Sequence, residues 1–399
     1  MLIVLLFYYY SKVSASATLS ASDGSLSLVL FNTSYSAQTG AKCLDGSPSG
    51  YYIRRGDSNR FVIFLQGGGA CYTVDPSAPS SINCASRAKT ALGSSTFWPP
   101  NYIDNDNVLS SNETINPFAK FTAIFVPYGS GDVYLGQRLS VVDPTSFPFY
   151  FSGHLTIKAI ISHLKETQDL DNANELLLSG SSAGGIGSTL NSDYVASLIP
   201  KVKVRAAPQG GWFFPPVLNF TYWKAGGHGP PYYGQNSPIE PLWQAFEVPA
   251  CVSAMGSGYC SSVNFAYRFL LTEMHVSENL MDSNQLFAQL GVPQNNDNVT
   301  LAYIFPYFTN QMILGLSQIA ASSVDAIWAP GCLKHTENLN LVSSTSVNGV
   351  SLKSSLDSWY FYKNNVPLHL IDSCQGINCG KGCGAITTKN EDIIAQWFF

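Results

Sequence analysis

Charged residues are scarce in this chain of 399 amino acids. They make up 12% of the sequence, about half of their usual share in soluble globular proteins, whereas apolar residues make up 45%. Intrinsic disorder needs the opposite balance, so the composition predicts a folded chain with a large core. The 21 basic residues form no run and are outnumbered by 26 acidic ones, which gives a net charge of −5. A nucleic acid is therefore not expected as a partner.

Several common sequence features are also missing. Beyond the N-terminus no stretch reaches the ~18 apolar residues that a membrane span needs, so no stable membrane insertion is expected. The sequence holds neither GxxxxGK[ST] nor GxGxxG, which excludes the usual phosphate-binding loops. It has no repeat of fixed period and no obvious linker. We therefore predict one continuous domain over residues 18–399.

The N-terminus has features of a secretory signal peptide. The apolar stretch Leu2–Phe7 precedes residues 15–17, Ala-Ser-Ala, which offer small side chains at a cleavage site. We predict a signal peptide over residues 1–17 and a secreted, extracellular protein. Because no basic residue comes before Lys12, a buried first helix or strand is the alternative.

Nine cysteines and four N-x-S/T sequons agree with secretion. The odd number leaves at least one cysteine unpaired. Cys374, Cys379 and Cys383 lack the CxxC spacing of zinc sites, so we predict disulfides there rather than a metal. No cofactor is expected. The sequons begin at Asn32, Asn112, Asn219 and Asn298.

Short apolar runs that end in glycine-bearing turns are the strongest strand signals. Such runs suit strands that are buried on both faces of a parallel sheet. A helical pattern of apolar residues over Leu155–Leu170 lies between the second and the third run, which indicates a strand–helix–strand crossover. The predicted fold class is α/β, with a mostly parallel sheet and helices on both faces. The runs are Phe61–Gln66, Phe121–Tyr128 and Leu176–Leu178. Near the C-terminus we predict a helix over Leu352–Tyr362 and a strand over Leu368–Ile371.

A long segment without periodicity interrupts this pattern at about residues 213–262. It is rich in proline, glycine, tyrosine and tryptophan, and it is too apolar to be disordered. We predict a loop-rich, cap-like insertion over the sheet. A structural insertion without function is the alternative.

The segment Gly180–Gly184 matches G-x-S-x-G. In this motif Ser182 occupies a sharp turn between a strand and a helix, which exposes its hydroxyl above the sheet. An apolar strand precedes it, and small residues follow that let the helix pack closely on the strand. We interpret Ser182 as the nucleophile of an α/β-hydrolase-like enzyme. A glycine-rich packing turn is the alternative, and Ser181 is the neighbouring serine to exclude.

A serine nucleophile needs a histidine base and a carboxylate, which follow it in this fold in the order acid, histidine. His335 has a loop-like position after Trp-Ala-Pro, whereas His275 lies within a probable strand, so we prefer His335. An oxyanion hole needs two backbone N–H groups. Ala183, directly after the nucleophile, can supply one, and the glycines that begin at Gly67 can supply the other.

Short motifs occur together in a fixed order over residues 50–383. They are L-Q-G-G-G-A-C-Y at 65–72, C-A-S-R at 84–87, F-V-P-Y at 125–128, L-S-G-S-S-A-G-G at 178–185, G-W-F at 211–213 and D-S-N-Q at 282–285. In this combination they resemble the family of pectin acetylesterases and Notum, which are secreted serine carboxylesterases. The resemblance implies an esterase with a Ser-His-Asp triad and no metal.

Site residues follow from the resemblance position by position. Glu278 is the alternative to the implied acid, because the segment before that acid is longer than usual in the family. Gly129 stands where the family has a cysteine, which offers a reason for the odd cysteine count, and Cys71 with Cys84 is the expected local disulfide. The implied residues are Ser182, Asp282 and His335 for catalysis, Gly67, Gly68 and Ala183 for the oxyanion hole, and Trp212 and Phe213 for substrate binding.

The resemblance also implies a substrate class. We expect acyl esters, foremost acetyl groups, on a pectin-like polysaccharide, which would be the partner of the protein. A Notum-like enzyme that removes a lipid from a protein is one alternative. A catalytically silent carbohydrate-binding relative is the other, and it would need a broken triad.

Overall fold

The computed structural model describes residues 24–383, apart from 79, 81, 106, 143–147, 214–241, 290–304, 337–342, 375 and 378. The predicted signal peptide, residues 1–17, lies outside the described residues. Within the described residues, ten strands form one sheet and two more form a separate hairpin. The strands are β1 (Leu26–Leu30), β2 (Gly50–Arg54), β3 (Asp57–Leu65), β4 (Asn101–Tyr102), β5 (Phe121–Val126), β6 (Glu175–Ser181), β7 (Lys203–Gln209), β8 (His275–Ser277), β9 (Ala326–Ala329), β10 (Ser346–Val347), β11 (Val350–Ser351) and β12 (His369–Ile371).

Most of the large sheet is parallel. Its strand order is β12-β9-β8-β7-β6-β3-β5-β2-β1-β4, and every pairing from β12 to β5 is parallel. At the other edge β2, β1 and β4 pair in antiparallel fashion. Parallel strands run in the same direction, so the carboxyl ends of β3, β6, β8 and β9 lie at one edge of the sheet. The predicted α/β class with a mostly parallel sheet is confirmed.

Side chains of β3 alternate between two hydrophobic cores. Ile63 and Leu65 belong to one core and Val62 and Phe64 to the other, and none of the four is more than 5% exposed. Because successive side chains of a strand point to opposite faces, the sheet is covered on both sides. Full burial of each of these side chains is worth ~1.5–3 kcal/mol, so the predicted apolar runs form the centre of the fold.

Helices cover both faces of the sheet, as predicted. Ile157 and Ile160 of α3 lie in the first core, and Leu356 and Trp359 of α9 lie in the second. None of the helices in the described part of the chain is long and apolar enough to cross a bilayer. The α-helices are α1 (Thr33–Thr39), α2 (Cys84–Arg87), α3 (Gly153–Gln168), α4 (Ala183–Leu190), α5 (Ser192–Leu198), α6 (Pro249–Met255), α7 (Val263–Ala266), α8 (Phe305–Ala320) and α9 (Leu352–Tyr360); short 3₁₀ helices span Ser95–Phe97, Leu170–Asn172 and Tyr267–Phe269, and a π-helix spans Asn284–Gln289.

The predicted cap-like insertion is described only in its last part, since positions 214–241 lie outside the described residues. This last part contains α6 and is connected to the sheet domain by several hydrogen bonds, among them the following two. The indole N–H of Trp243 donates to the main-chain oxygen of Cys71 at 3.2 Å. The main-chain N–H of Phe246 donates to the oxygen of Leu135 at 2.7 Å. The role of the insertion as a cap stays a prediction.

Four disulfides join eight of the nine cysteines. The pair Cys71–Cys84 confirms the predicted local disulfide, and the three C-terminal cysteines take part in disulfides as predicted. Cys43 is free and buried. A Cβ placed on Gly129 would lie 2.5 Å from the Sγ of Cys43. A cysteine at position 129 would therefore face Cys43, which explains the unpaired thiol. The disulfides are Cys71–Cys84, Cys251–Cys260, Cys332–Cys383 and Cys374–Cys379.

Two of the four sequons fall within the described residues. Asn32 and Asn112 are both exposed. Asn219 and Asn298 lie outside the described residues. Glycosylation stays a prediction at all four.

Candidate active site

Ser182 lies on a sharp turn between β6 and α4. Its backbone has φ 56° and ψ −121°, a combination that costs a residue with a side chain about 1–3 kcal/mol. The turn needs glycine on either side. A Cβ on Gly180 would lie 2.3 Å from the oxygen of Gly184, and a Cβ on Gly184 would lie 2.0 Å from the oxygen of Leu65. The small residues of the motif therefore let α4 pack directly on the neighbouring strands.

Three polar side chains meet at the carboxyl edge of the sheet. The Nε2 of His335 lies 2.7 Å from the Oγ of Ser182. The Nδ1 of His335 lies 3.0 and 2.9 Å from the two carboxylate oxygens of Asp282. Ser182 follows β6, Asp282 follows β8 and His335 follows β9. The parallel strands thus bring together three residues that are far apart in the sequence.

Asp282 is fully buried at the base of this arrangement. Its Oδ1 accepts hydrogen bonds from the main-chain N–H groups of Asn284 at 2.7 Å and Gln285 at 2.9 Å. These hydrogen bonds fix the carboxyl group in place. The turn that follows Asp282 therefore holds the acid next to the histidine.

Glu278, the alternative acid, is buried as well but is bonded elsewhere. Its Oε2 accepts a hydrogen bond from the main-chain N–H of Trp212 at 2.7 Å, and within the described part of the chain its Oε1 has no hydrogen-bond partner. Burial, and next the charge of Asp282, raise the pKa of Glu278 well above its usual range. The raised pKa disfavours the charged form of Glu278, and the Nδ1 of His335 is hydrogen-bonded to Asp282, so the geometry favours Asp282 as the partner of His335.

The oxyanion candidates lie around Ser182. A Cβ on Gly67 would lie 2.7 Å from the oxygen of Ser181 and 3.0 Å from the Cβ of Ser182. Gly68 has φ 142°, a value that favours glycine. Ala183 is the first residue of α4. The loop after β3 and the start of α4 therefore bring their backbones together at Ser182.

The two aromatic residues predicted to bind substrate have different surroundings. Phe213 is 8% exposed, and its ring meets that of His335 edge to face with the centroids 6.1 Å apart. Trp212 is 1% exposed, and its ring packs on Tyr267 with the centroids 5.3 Å apart. A role in substrate binding stays a prediction for both, and Phe213 has the ring beside the histidine.

The side chains that support the loop after β3 are functional-site residues that the sequence did not predict. The side-chain oxygen of Gln66 accepts a hydrogen bond from the main-chain N–H of Tyr128 at 2.9 Å. The hydroxyl of Tyr134 donates to the main-chain oxygen of Gln66 at 2.9 Å. The sequence does contain a signal for this role. A glutamine directly follows a run of five apolar residues, and a polar group in such a place needs a hydrogen-bond partner.

The described residues contain no group of three or more His, Cys, Asp or Glu side chains that could hold a metal ion. The arrangement around Ser182 can move a proton from a hydroxyl to an imidazole and stabilise the resulting cation.

A mostly parallel sheet with helices on both faces, and a serine on a strand-to-helix turn at its carboxyl edge, define an α/β-hydrolase-like protein. Residues 20–384 match the family described as Pectinacetylesterase. The chain belongs to this family and is a carboxylic ester hydrolase. Its disulfides fit a protein that folds in an oxidising compartment.

Both branches of the family occur among its relatives. The palmitoleoyl-protein carboxylesterase notum1' of Xenopus laevis is 30% identical over 392 residues, which cover 89% of this chain and 75% of that protein. Pectin acetylesterase 4 of Arabidopsis thaliana is 25% identical over 395 residues, which cover 93% of this chain and 92% of that protein. The structure of the Wnt deacylase Notum from Drosophila has a similar fold, with a TM-score of 0.74 at 24% identity over 90% of this chain and all of that one.

Proposed function

We propose that the protein is a serine esterase that hydrolyses acyl esters through a covalent acyl-enzyme. Ser182 is the nucleophile, His335 the general base and Asp282 the acid that orients the histidine. The observation that carries this proposal is the continuous hydrogen-bonded chain from the Oγ of Ser182 through His335 to Asp282. A catalytically silent relative would not need to keep such a chain.

The first half of the reaction forms the acyl-enzyme. The Oγ of Ser182 attacks the ester carbonyl carbon while its proton passes to the Nε2 of His335. The negative oxygen that develops is stabilised by the N–H groups of Gly67, Gly68 and Ala183. His335 then gives its proton to the leaving alcohol oxygen, the ester C–O bond breaks, and the acyl group remains on Ser182.

The second half releases the acid. Water attacks the acyl carbon and gives one proton to His335, and the same oxyanion hole stabilises the second tetrahedral intermediate. The bond to Ser182 breaks, and its Oγ recovers the proton from His335. In both halves Asp282 stabilises the imidazolium by its charge and holds the ring in the required tautomer.

Acetyl esters on a pectin-like polysaccharide are the proposed substrate. The match to the pectinacetylesterase family over residues 20–384 supports this choice. The alignment with pectin acetylesterase 4 also spans 92% of that protein, so little of it is left without a counterpart here. The polysaccharide would be an extracellular partner, which agrees with the proposed secretion after cleavage of residues 1–17.

Removal of a lipid from a protein is the second candidate. Its support is the 30% identity with a palmitoleoyl-protein carboxylesterase, against 25% with pectin acetylesterase 4. A lipid deacylase would need a deep apolar pocket next to Ser182 in place of an open polar groove. Phe213 supplies apolar surface beside His335 and is compatible with either substrate.

The test compares three substrates and three proteins. The purified protein, Ser182→Ala and the matched control Ser181→Ala are assayed on acetylated pectin, on acetylated xylan and on a long-chain acyl ester. We expect acetate release from pectin, a loss of ~10³-fold or more in Ser182→Ala, and retained activity in Ser181→Ala. An active Ser182→Ala with an inactive Ser181→Ala would refute the nucleophile. Hydrolysis of the long-chain ester alone would favour the lipid deacylase, and no hydrolysis at all would favour the silent relative.

A further inference from the structure

The histidine loop, residues 330–336, follows β9 and carries His335. Hydrogen bonds to Ser182 and Asp282 hold the imidazole ring of His335 in the free enzyme. In the acyl-enzyme the Oγ of Ser182 is bonded to carbon, so it no longer has a proton to donate to the ring. The ring must nevertheless stay in place to accept a proton from water. The contacts that fix the backbone of the histidine loop therefore bear on the reaction.

Gly331, near the start of this loop, is held through both of its main-chain polar groups by residues close to the C-terminus. Its N–H donates to the Oδ2 of Asp372 at 3.3 Å. Its oxygen accepts from the N–H of Gly380 at 3.3 Å. A Cβ on Gly331 would lie 2.4 Å from the Sγ of Cys374, so the disulfide Cys374–Cys379 packs directly on this glycine. The backbone at the start of the loop thus has little room to move.

The next residue, Cys332, is covalently joined to the same part of the chain. It is 1% exposed, lies three positions before His335 and forms a disulfide with Cys383. The two cysteines are 51 positions apart in the sequence, so the bond connects the histidine loop with a distant segment. Together, Asp372, Gly380 and Cys383 form a C-terminal anchor of the histidine loop.

Asp372 connects this anchor with the sheet. It directly follows β12, and its main-chain N–H donates to the oxygen of Ala329, the last residue of β9, at 2.9 Å. Its Oδ1 accepts from the N–H of Cys374 at 3.1 Å, while its Oδ2 accepts from Gly331. Its backbone and both of its carboxylate oxygens are therefore fixed. Asp372 thus holds Gly331 at a defined position relative to the end of β9.

The histidine loop is also bonded to the segment that precedes Asp282. The N–H of Leu280 donates to the oxygen of Pro330 at 3.0 Å. Met281 and Leu333 form an isolated parallel bridge. The loop is therefore held by two groups of contacts, one from the segment of the acid and one from the C-terminal anchor. Loss of the anchor would remove the second group and let the histidine shift relative to the acid.

From these contacts we infer that Asp372 and the disulfide Cys332–Cys383 are positioning residues of the esterase reaction. They fix the backbone of the histidine loop, so that the ring of His335 stays within reach of Ser182 and Asp282 in every step. The inference rests on the proposed function, since it assumes that His335 is the general base. It predicts that loss of the anchor slows proton transfer more than it weakens substrate binding.

Asp372→Ala tests this inference, because it removes the acceptor of the Gly331 N–H and leaves every cysteine in place. Misplacement of a reacting group by ~1 Å can cost ~10²-fold in rate, and for the loss of one part of the anchor we expect kcat to fall about 10-fold. KM should change by no more than about twofold. Activity is expressed per site that a fluorophosphonate finally labels, so unfolded protein is not mistaken for a lower kcat.

The rate of that labelling is a second readout of the histidine. The Oγ of Ser182 attacks phosphorus, fluoride leaves, and the proton of the hydroxyl passes to His335. The rate constant of phosphonylation should therefore fall in parallel with kcat. A downfield proton resonance from the hydrogen bond between the Nδ1 of His335 and Asp282 should also broaden in Asp372→Ala, at a temperature at which the variant is folded.

The double variant Cys332→Ala with Cys383→Ala removes the covalent part of the anchor. Because this frees the loop closer to His335, we expect a larger loss of about 100-fold in kcat and in the rate of phosphonylation. If the double variant does not fold, Asp372→Ala alone decides.

The matched control is Asp193→Ala, which removes another carboxylate that accepts two main-chain N–H groups. Asp193 accepts from Leu271 at 2.9 Å and from Thr272 at 2.8 Å, in the segment that leads into β8. This control should lower the melting temperature without changing kcat or the rate of phosphonylation. The inference is wrong if Asp372→Ala keeps both rates within about twofold, or if Asp193→Ala shows the same losses.

Ser182→Ala in the same series tests the proposed function separately. An active Ser182→Ala would refute that function whatever Asp372→Ala does. An inactive Ser182→Ala together with an unchanged Asp372→Ala would refute the positioning role alone.

Discussion

Two buried carboxyl groups at the candidate site have different surroundings: Asp282, which belongs to the candidate triad, and Glu278, which follows the same strand. Asp282 accepts hydrogen bonds from two main-chain N–H groups and is hydrogen-bonded to His335. Glu278 accepts a hydrogen bond from the main-chain N–H of Trp212, and burial raises its pKa, which disfavours its charged form. Spacing in the sequence cannot separate the two, because both follow β8 within a few residues. Their hydrogen-bond partners distinguish the two acids.

Substitution by the matching amide should therefore affect the two acids differently. Asp282→Asn keeps the shape but removes the charge that stabilises the His335 cation, so we expect kcat to fall by ~10²–10⁴-fold with little change in melting temperature. Glu278→Gln should be nearly silent, because a neutral acid and its amide have the same shape and both accept the N–H of Trp212. Steady-state kinetics with a melting curve for each variant provide the measurement. The reversed result would move the triad acid to Glu278.

At the scale of elements, α4 lies so close to β3 that there is no room for a side chain at Gly184. A Cβ on Gly184 would lie 2.0 Å from the oxygen of Leu65, which is main chain and cannot rotate away. Any added side chain must therefore push α4 away from the sheet. Ser182 precedes that helix and Ala183 begins it, so the same shift would displace Ser182 from His335.

Gly184→Ala should therefore lower both stability and activity. Overpacking of this kind costs ~1–3 kcal/mol, even though alanine is the better helix former. Gly315→Ala in α8 is the matched control, since its Cβ would first meet the indole nitrogen of Trp212 at 3.0 Å, an atom of a side chain. Thermal unfolding of both variants is the measurement. Equal melting temperatures for the two would show that α4 tolerates a shift.

Elements with a strong local signal could be predicted from the sequence. The apolar run Phe61–Gln66 became β3 and the periodic stretch Leu155–Leu170 became α3, with ends that differ by a few residues. The antiparallel strand β1, which lies between β2 and β4, and the helix α6 were not predicted. Both are short and lack periodicity, so their structure comes from pairing and packing with distant segments rather than from local preference.

The residues of the candidate site also differ in whether the sequence could predict them. Ser182 could be found from its motif, and His335 and Asp282 from the requirements of the chemistry together with the family resemblance. The support from Tyr134 could not be found. It depends on a left-handed backbone at two residues that do not favour it and on contacts with a loop some seventy positions earlier, and neither leaves a local signal in the sequence.

At the scale of the whole molecule, secretion and disulfide formation belong together. Expressed in a eukaryotic host, the protein should appear in the medium with an N-terminus near Thr18, because residues 1–17 have the features of a cleaved signal peptide. It should carry four disulfides, and their reduction should add eight mass units to the intact protein. Intact mass spectrometry measures both. Retained Met1 together with nine free thiols would contradict the proposed localisation.

One thiol, that of Cys43, should remain after all four disulfides have formed, and it should be inaccessible to solvent. Burial raises the pKa of Cys43 to about 12, so almost no thiolate exists at pH 8 and the side chain is out of reach of reagents. A thiol reagent should therefore react with none of the cysteines in the native protein and with one after denaturation. More than one reactive thiol after denaturation without reductant would show that a disulfide is missing.

Gly129→Cys should remove this last thiol by forming a fifth disulfide. The Cβ at position 129 would lie 3.2 Å from the Cβ of Cys43, a few tenths of an ångström closer than the ~3.5–4.5 Å usual in disulfides, so a small shift of one loop allows the bond. A bridge between these distant positions should stabilise the protein by about 2–4 kcal/mol through its effect on the unfolded chain. The expected result is no reactive thiol after denaturation and a higher melting temperature, with Gly129→Ser as the control that fills the same space without bonding. Two reactive thiols in the denatured variant would mean that Cys43 and position 129 do not face each other.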